Sequence, residues 1–358
     1  MRTVYLIRHG RPDFPDDKPM CLGTTDLPLG PLGRLQSALV GAVLQEKGVR
    51  DVFCSQLSRS RQTAQLISDT VTEAEGLEEL SSGEWDGLSF EEIRERWPEL
   101  YARRGEDPSI QPPGSSSREL GQRRFALAME RLMSLSTGDV AVVAHATVNQ
   151  LFLCSILGLP LEKARGLKLP YGSVTRLTRS SEGWAVGEIG VCPHPPLDER
   201  LCLLLLSAYG TAAPVVAHCA AVAKESMRIV CALAAAGADI DENLVFAAAM
   251  LHDMARASED HARLGAALIE QLGYGQVADA IGQHHELNDP GMLDEAAVVF
   301  IADKAVQDTE RVTLEQRFHS SAEKCVTSEA LAAHERRYAA AKQVADHINT
   351  FCGKDVIL

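Results

Sequence analysis

A short apolar run near the start of the chain, residues 4–7, leads directly into Arg8, His9 and Gly10. The run has the composition of a buried strand, and Gly10 allows a sharp turn where the strand ends. Such a strand would deliver a guanidinium and an imidazole to one edge of a sheet. A neighbouring positive charge favours the neutral imidazole, which is the nucleophilic form, so we interpret His9 as a candidate nucleophile towards a phosphate ester.

Strand and helix signals alternate through the first half of the chain, which predicts an α/β fold with a mostly parallel sheet flanked by helices. A second apolar run, residues 140–144, also ends in a histidine, His145, at the edge where open α/β sheets bind their ligands. Further strands are expected at 51–54, 173–178 and 184–189, with helices at 32–48, 59–68, 90–101 and from a Ser116–Glu119 capping box to about 135.

At 358 residues the chain is long enough for two domains. Closely spaced prolines make residues 193–199 the best linker, which predicts domains over 1–192 and 200–358. Beyond the linker, alanine-rich helical patterns dominate and strand signals vanish. The uncharged stretch 201–223 is interrupted at Gly210 and Pro214, so it predicts two core helices of an all-α domain rather than a membrane span.

The formal net charge of −14 argues against a nucleic-acid-binding surface, because such a surface needs clustered lysine and arginine. An anionic small molecule would therefore need a local cationic pocket. Nine scattered cysteines without a Cys-x-x-Cys pair, and a start without a signal-peptide pattern, predict a cytoplasmic protein with reduced thiols and no membrane partner. The sequence leaves a homo-oligomer open.

Two further segments supply groups that suit phosphoryl transfer. Residues 55–64 follow a predicted strand and open a helix, which places Arg59 near a helix N-terminus, where anions are favoured. The loop around Glu79 offers a carboxylic acid, although Glu78 and Glu84 lie close by and remain alternatives. Together with His9 and His145, these groups could attack phosphorus, stabilise the developing charge and protonate the leaving oxygen.

Residues 1–192 resemble the histidine phosphatase superfamily, which includes the cofactor-dependent phosphoglycerate mutases and α-ribazole phosphatase. The resemblance lies in the Arg-His-Gly motif, the Ser-x-Leu-x-Arg-x-x-x-Thr-Ala motif and the second histidine. Residues 21–29 resemble the α-ribazole phosphatases in particular. The resemblance to the superfamily implies a phosphoglycerate mutase-like fold, a small phosphate ester as substrate and no cofactor. It assigns catalysis through a phosphohistidine to His9, Glu79 and His145, and substrate binding to Arg8 and Arg59.

Two departures from the family pattern bear on the substrate. Ala146 follows His145 where the family usually has glycine, and residues 113–117 read Pro-Gly-Ser-Ser-Ser where relatives carry Pro-Gly-Gly-Glu-Ser. The interval from Glu79 to His145 also lacks the insertion expected of the mutases. This favours hydrolysis, and phosphoglycerate mutase-type transfer remains the alternative.

In the second half, imidazoles and carboxylates emerge from apolar helices, where an unpaired charge would be costly. A shared divalent cation would remove that cost, and mixed histidine and carboxylate ligands suit iron, manganese, cobalt, nickel or zinc with an activated water. The candidate ligands are His218, His252, Asp253 and Asp303.

This pattern resembles the HD superfamily of metal-dependent phosphohydrolases over roughly residues 200–350, and the four candidates match its core metal ligands. The resemblance implies a second phosphohydrolase site, and a regulatory or ligand-binding module is the alternative for this half. Further metal or phosphate contacts are predicted at His261, His284 and His285, and solvated side chains at His319, His334 and His347.

Overall fold

The computed structural model describes residues 1–323 and 325–358. The chain folds into two compact units, Met1–Pro195 and Pro196–Leu358. The division between the units lies inside the stretch 193–199 that the prolines mark as a linker. The domain bounds of 1–192 and 200–358 stay predictions.

The first unit is built on a sheet whose strands are β1 (Arg2–Arg8), β2 (Asp51–Cys54), β3 (Val71–Glu73), β4 (Val140–Ala144), β5 (Val174–Ser180) and β6 (Gly183–Val186). Their order across the sheet is β3-β2-β4-β1-β5-β6. The pairs among β3, β2, β4 and β1 are parallel, and β5 and β6 add antiparallel pairs on one side. The predicted mostly parallel sheet is confirmed.

The helices of this unit pack on both faces of the sheet, which is why all five residues of β4 are buried. Successive β4 residues belong alternately to two apolar clusters. The helices are α1 (Pro31–Glu46), α2 (Ser58–Gln65), α3 (Phe90–Arg96), α4 (Pro98–Glu106), α5 (Arg118–Leu135) and α6 (Ala146–Leu157). Residues of α1 and α2 join one cluster, and residues of α5 and α6 join the other.

The carboxyl ends of β1, β2 and β4 meet at one edge of the sheet because these strands are parallel neighbours. The His9 nitrogen donates to the Ala144 carbonyl at 3.1 Å, and the Ser55 nitrogen donates to the Val143 carbonyl at 3.2 Å. His145 follows Ala144 directly. The topology therefore brings His9, Ser55 and His145 to one place.

Local details differ from the sequence expectations for identifiable reasons. The helix predicted over 90–101 breaks at Trp97, because Pro98 lacks an N–H group and restricts the residue before it. Ser117, not Ser116, caps α5, and Ser116 instead accepts a hydrogen bond from the Ser81 nitrogen. Strand β3 was not predicted, since three partly exposed residues carry too short a pattern.

The second unit is helical, as predicted, apart from a short hairpin that the sequence did not indicate. Its two strands have two residues each, β7 (Val306–Gln307) and β8 (Glu310–Arg311). Among the described residues, no helix combines the length and apolarity needed to cross a bilayer. The helices are α7 (Glu199–Tyr209), α8 (Ala213–Ala235), α9 (Glu242–Leu251), α10 (His261–Gln271), α11 (Gly275–Gly282), α12 (Glu295–Lys304), α13 (Leu314–Ala322) and α14 (Ser328–Cys352).

Side-chain caps fix where several of these helices begin. The carboxylates of Asp198, Asp241 and Asp294 accept hydrogen bonds from backbone N–H groups in the first turns of α7, α9 and α12. The α9 cap sets the register that places His252 immediately after that helix, and the α12 cap places Asp303 near the end of α12. Gly210, with φ of +92°, ends α7, so the predicted break at Gly210 is confirmed.

We expect Gly33→Ala to destabilise the first unit by about 1–3 kcal/mol, because the site has no room for a methyl group. An added methyl would overlap the Arg11 carbonyl and lie 2.7 Å from the Arg11 nitrogen, backbone atoms close to His9. All three tryptophans belong to the first unit, so tryptophan fluorescence during urea unfolding reports on that unit.

The control is Gly138→Ala, where an added methyl would meet nothing within 4 Å. It should unfold at the wild-type urea concentration. Equal midpoints for the two variants would contradict the close approach at Gly33.

Candidate functional site

His9 follows β1 and is almost completely buried, with 5% of its surface exposed. Its Nδ1 atom lies 2.7 Å from the Gly10 carbonyl, which can only accept a hydrogen bond, so Nδ1 carries the proton. The other ring nitrogen, Nε2, accepts a long hydrogen bond of 3.3 Å from Arg59 Nε. The neutral ring therefore presents a lone pair on Nε2.

The charge environment favours this neutral form. Burial lowers the pKa of His9 well below its ordinary value, and the nearby Arg59 and Arg8 guanidinium groups lower it further. An imidazole held neutral beside two cations can attack an electrophile over a wide pH range. The neutral His9 ring that the Arg-His pair predicts is therefore also the form that the folded chain favours.

His145 lies between β4 and α6, and its ring centroid is 5.1 Å from that of His9. Its Nε2 atom lies 2.6 Å from Ser55 Oγ, which orients the ring. Among the described residues its Nδ1 atom has no hydrogen-bond partner although it is buried. A buried ring nitrogen without a partner is costly, and the oxygen of a bound anion would satisfy it.

Arg8 and Arg59 bring two guanidinium groups to His9. Arg59 donates from Nη1 to the Thr25 carbonyl at 2.7 Å and from Nη2 to the Gly23 carbonyl at 2.8 Å. Arg8 donates from Nη1 to the Leu169 carbonyl at 2.7 Å and packs 3.7 Å above the Tyr171 ring.

Neither arginine forms a salt bridge with a carboxylate in the part of the chain described here. Arg8 Nε is also buried without a hydrogen-bond partner in that part. Cations that are held by carbonyls and not by salt bridges favour the binding of an anion between them.

Glu79 is the carboxylic acid of this site. Its Oε1 accepts from the Leu80 and Val148 nitrogens, and its Oε2 accepts from the Thr147 nitrogen. These bonds and Arg59 favour the carboxylate, but burial outweighs them and raises the pKa of Glu79 above its ordinary value. The alternatives are placed elsewhere: Glu78 pairs with Arg124, and Glu84 is exposed.

Arg8, His9, Arg59 and Glu79 line one cavity of about 470 Å³, which contains more cations than the sequence predicted. Sequence reasoning missed Tyr171 and three arginines, Arg104, Arg118 and Arg165, because they belong to no motif. The lining residues include Arg8, His9, Arg59, Glu79, Ala146, Thr147 and Tyr171, together with Trp85, Phe90, Tyr101, Arg104, Arg118 and Arg165.

In the second unit, the predicted ligands His218, His252 and Asp303 offer ligand atoms that all lie within 4.8 Å of one another. Asp253 and His284 form a similar group with His252. The structure thus brings together all four residues predicted as metal ligands and adds His284, which was predicted in a secondary role.

Backbone carbonyls fix the ring orientation of three of these histidines. Each Nδ1 atom lies within hydrogen-bond distance of a carbonyl oxygen, so Nδ1 is protonated and Nε2 is left as the ligand atom. The Nδ1–oxygen distances are 2.8 Å from His218 to Asp308, 2.8 Å from His252 to Ala249 and 2.7 Å from His284 to Ile281.

The residues fit a divalent metal on the evidence of their orphaned atoms. His252 Nε2 and His284 Nε2 are buried without hydrogen-bond partners among the described residues. Burial lowers the pKa of His252 to about 4, so its ring is neutral and free to coordinate. Two buried lone pairs beside two carboxylates are the donor set that first-row divalent metals take.

The predicted secondary residues also meet. His261, His284 and His285 form a third group of ligand atoms within 4.8 Å of one another, and His261 Nε2 lies 3.0 Å from Asp253 Oδ1. Sequence reasoning missed Lys304, whose Nζ donates to Asp303 Oδ2 at 2.7 Å and balances part of its charge. His334 was predicted to be solvated, and this is wrong: it is buried against Phe318 and bonded to Ser321 Oγ.

The fold defines the first unit as a phosphoglycerate mutase-like α/β unit, and its paired histidines lie beside two arginines. The family model "Histidine phosphatase superfamily (branch 1)" matches residues 4–191, more than half of the chain, so the chain belongs to that superfamily. The model "HD domain" matches residues 215–306, a group that is generally metal-dependent. These matches make the chain a phosphohydrolase-type enzyme and confirm both family resemblances.

Relatives of the first unit carry phosphatase and mutase names. The protein named "Probable phosphoglycerate mutase GpmB" from Yersinia pestis is 30% identical over 215 residues, covering 56% of this chain and 99% of its own. The structure of "Mycobacterial hydrolase 1" is 24% identical with a TM-score of 0.49, covering 53% of this chain and 99% of its own. The α-ribazole phosphatase from Shigella flexneri is 21% identical with a TM-score of 0.48, covering 54% and 98%.

We expect Glu79→Gln to slow hydrolysis of an alkyl phosphate about 10²–10⁴-fold, because a poor leaving group needs a proton donor. Cleavage of 4-nitrophenyl phosphate, whose leaving group needs little protonation, should fall much less. Since the pKa of Glu79 is raised, wild-type kcat/KM for the alkyl ester should decline as pH rises through that pKa. This alkaline decline should be absent in the variant.

Glu78→Gln is the matched control and should behave as the wild type with both esters over the same pH range. Equal losses of kcat/KM, which reports the step that breaks the ester bond, for the two esters in Glu79→Gln would contradict a role as proton donor.

We expect the purified protein to hold a divalent metal that His252→Gln largely loses, because the variant removes an imidazole ligand at nearly constant volume. Elemental analysis by mass spectrometry measures the bound metal. Chelation should also lower the melting temperature of the wild type more than that of the variant. His347→Gln, at an exposed histidine on α14, should retain wild-type metal content, and equal metal in all three proteins would contradict the site.

Proposed function

We propose that the first unit is a phosphomonoesterase that acts on a small phosphorylated metabolite through a phosphohistidine on His9. The observation that carries this proposal is the neutral His9 ring, with its Nε2 lone pair facing Arg59 and its centroid 5.1 Å from His145. The same cavity holds a protonatable acid, Glu79. Two cations, a nucleophile and an acid are the groups that this reaction requires.

The reaction divides into two balanced steps. In the first, His9 Nε2 forms a bond to phosphorus as the bond to the ester oxygen breaks, and Glu79 transfers its proton to that oxygen. In the second, water attacks the phosphohistidine, Glu79 takes up the water proton, and phosphate leaves with the neutral ring restored. Arg8, Arg59 and His145 Nδ1 hold the equatorial oxygens in both steps.

Hydrolysis is favoured over transfer to a second substrate. The alternative is mutase-type chemistry, in which the phosphohistidine returns its phosphoryl group to the product. The short interval between Glu79 and His145 supports hydrolysis, because it lacks the insertion expected of the mutases. A label-transfer assay separates the two: hydrolysis releases labelled phosphate, and mutase chemistry moves the label to an added acceptor.

For the second unit we propose a divalent metal held by His218, His252, Asp253 and Asp303, with further metal or phosphate contacts from His261, His284 and His285. Iron, manganese, cobalt, nickel and zinc all suit these donors. When bound, such a metal would supply a polarised phosphate oxygen or an activated water. The chain's own residues contribute fixed ring tautomers and the charge balance from Lys304.

Covalent linkage of two phosphate-handling units suggests two successive steps on one small molecule. The alternative is that the second unit senses a ligand and regulates the first. A small phosphate ester is the proposed partner, without nucleic acid or membrane, and a homo-oligomer stays open. The nine cysteines are free, which supports the proposed cytoplasmic location.

We expect His9→Ala to lose metal-independent phosphatase activity by about 10³-fold or more, the scale on which loss of a nucleophile acts. With a ³²P-labelled ester and an acid quench after one turnover, the wild type should carry an acid-labile label and His9→Ala none. Asp303→Ala is the control, because it alters the second unit and should keep both the label and the chelator-resistant activity. Full activity of His9→Ala in the presence of chelator would overturn the proposal.

A further inference from the structure

The cavity that contains His9 has a second group of cations. Arg104 comes from α4, Arg118 begins α5, and Arg165 lies in the 3₁₀ helix Leu161–Gly166. All three line the same cavity as His9 and Glu79. These segments are far apart in sequence, so the fold assembles the group.

Arg118 provides the strongest evidence that these three arginines bind an anion. Its side chain is buried, with 8% of the residue exposed, yet in the described part of the chain it forms no hydrogen bond and no salt bridge. Glu119, Glu162 and Asp107 attract it only at a distance. It also lies in the first turn of α5, where the helix dipole disfavours a cation. Such a residue is stabilised by an anion that the protein itself does not provide.

Arg104 is held in place by uncharged groups. Its guanidinium donates to the Ile110 carbonyl and lies 5.6 Å above the Trp85 ring, and its own carbonyl accepts from Arg165 Nη1 at 3.4 Å. Burial, with repulsion from Arg165 and Arg118, lowers the pKa of Arg104 to about 10. The three cations therefore act on one another, and a bound anion would relieve their repulsion.

Trp85 supplies a second, independent observation. It lines the same cavity and is 2% exposed, and its indole N–H has no hydrogen-bond partner among the described residues. An indole N–H is a donor that buried tryptophans usually satisfy. Here too a group that accepts hydrogen bonds is missing from the protein.

Charge balance separates this group from the phosphate site. A phosphate monoester carries about two negative charges near neutral pH, which Arg8 and Arg59 can balance. Arg104, Arg118 and Arg165 then remain without a salt-bridge partner among the described residues, in a protein whose overall charge is −14. A substrate with one charged group would be balanced by Arg8 and Arg59 alone.

We propose that Arg104, Arg118 and Arg165 form a second anion-binding subsite, so that the substrate is a phosphate monoester carrying a second anionic group, a carboxylate or another phosphate. This inference rests on the proposed phosphatase activity and adds the class of its substrate. Trp85, Phe90 and Tyr101 line the same cavity and provide apolar walls for the part of the substrate between its two anionic ends.

The test uses ω-phosphonooxy carboxylates of increasing chain length, each compared with its carboxamide and with the α,ω-bisphosphate of the same length. The carboxamide has the same size and leaving group without the charge. For the chain length that fits, wild-type kcat/KM should favour an anionic tail over the amide by about 10–100-fold, the effect of hydrogen bonds to a charged group. Preference for the bisphosphate or for the carboxylate identifies which anion the subsite takes.

Arg118→Gln should bring the ratio of kcat/KM for the charged ester to kcat/KM for the amide close to one, mainly by raising KM for the charged ester. Arg165→Gln, at an exposed position, repeats the test if Arg118→Gln folds poorly. The controls are Arg103→Gln on α4 and Arg123→Gln on α5, exposed arginines on the same helices that do not line the cavity. They should keep the wild-type preference.

Binding to the His9→Ala variant, measured by calorimetry, separates this inference from the proposed catalysis. Tighter binding of the charged esters than of the amides supports the subsite even if no ester is hydrolysed. The absence of hydrolysis would overturn the phosphatase proposal alone. Equal binding and equal kcat/KM for charged and amide esters at every length would overturn the subsite and leave the phosphatase in place.

Discussion

Positive charge held in place by backbone carbonyls, and not by salt bridges, is the constraint on which the first unit depends. Arg8 and Arg59 are held by backbone carbonyls and by the Tyr171 ring, and in the described chain no carboxylate pairs with either. A carboxylate partner would stabilise the folded protein but would also occupy the place of the substrate phosphate. The carbonyls hold the guanidinium groups in position while leaving their net charge available. Burial keeps His9 neutral, and the same two positive charges add to this effect, so the groups that bind the phosphate also support the nucleophile.

The second unit contains buried negative charge, and backbone carbonyls again position the side chains around it. Buried carboxylates of Asp253 and Asp303 lie among imidazoles whose Nδ1 protons are committed to backbone carbonyls. The His252 and His284 rings therefore turn lone pairs towards the carboxylates, an arrangement that is unfavourable until a cation joins it, while His218 Nε2 lies 3.2 Å from Asp303 Oδ1. Lys304 compensates part of the charge at Asp303 and leaves the Nε2 atoms of His252 and His284 unsatisfied. The first unit is thus prepared for an anion and the second for a cation.

Much of the site could be predicted because short motifs and strand ends carry it. The order of strands in a parallel sheet brings residues that follow β1, β2 and β4 together whatever the loops do, so His9 and His145 could be paired without coordinates. The helical half was readable because histidines and aspartates interrupt apolar helices. Ser55 and Lys304 stand beside predicted residues, but their roles depend on side-chain directions that spacing does not specify. The break at Trp97 could have been predicted from Pro98, and the α5 cap could not, because Ser116 and Ser117 are equivalent until one bonds to Ser81.

The sequence by itself determined the strand-ending histidines, the helix-opening arginine and the alternation that fixes a mostly parallel sheet, because these depend on local periodicity and on topology. Tertiary structure alone decided that Arg104, Arg118 and Arg165 share a cavity with His9, and that Glu79 rather than Glu78 faces it. These outcomes depend on how α4, α5 and the 3₁₀ helix Leu161–Gly166 close around the sheet edge. A sequence records which residues carry charge; distances between segments far apart in the chain arise only when packing has fixed where each segment lies.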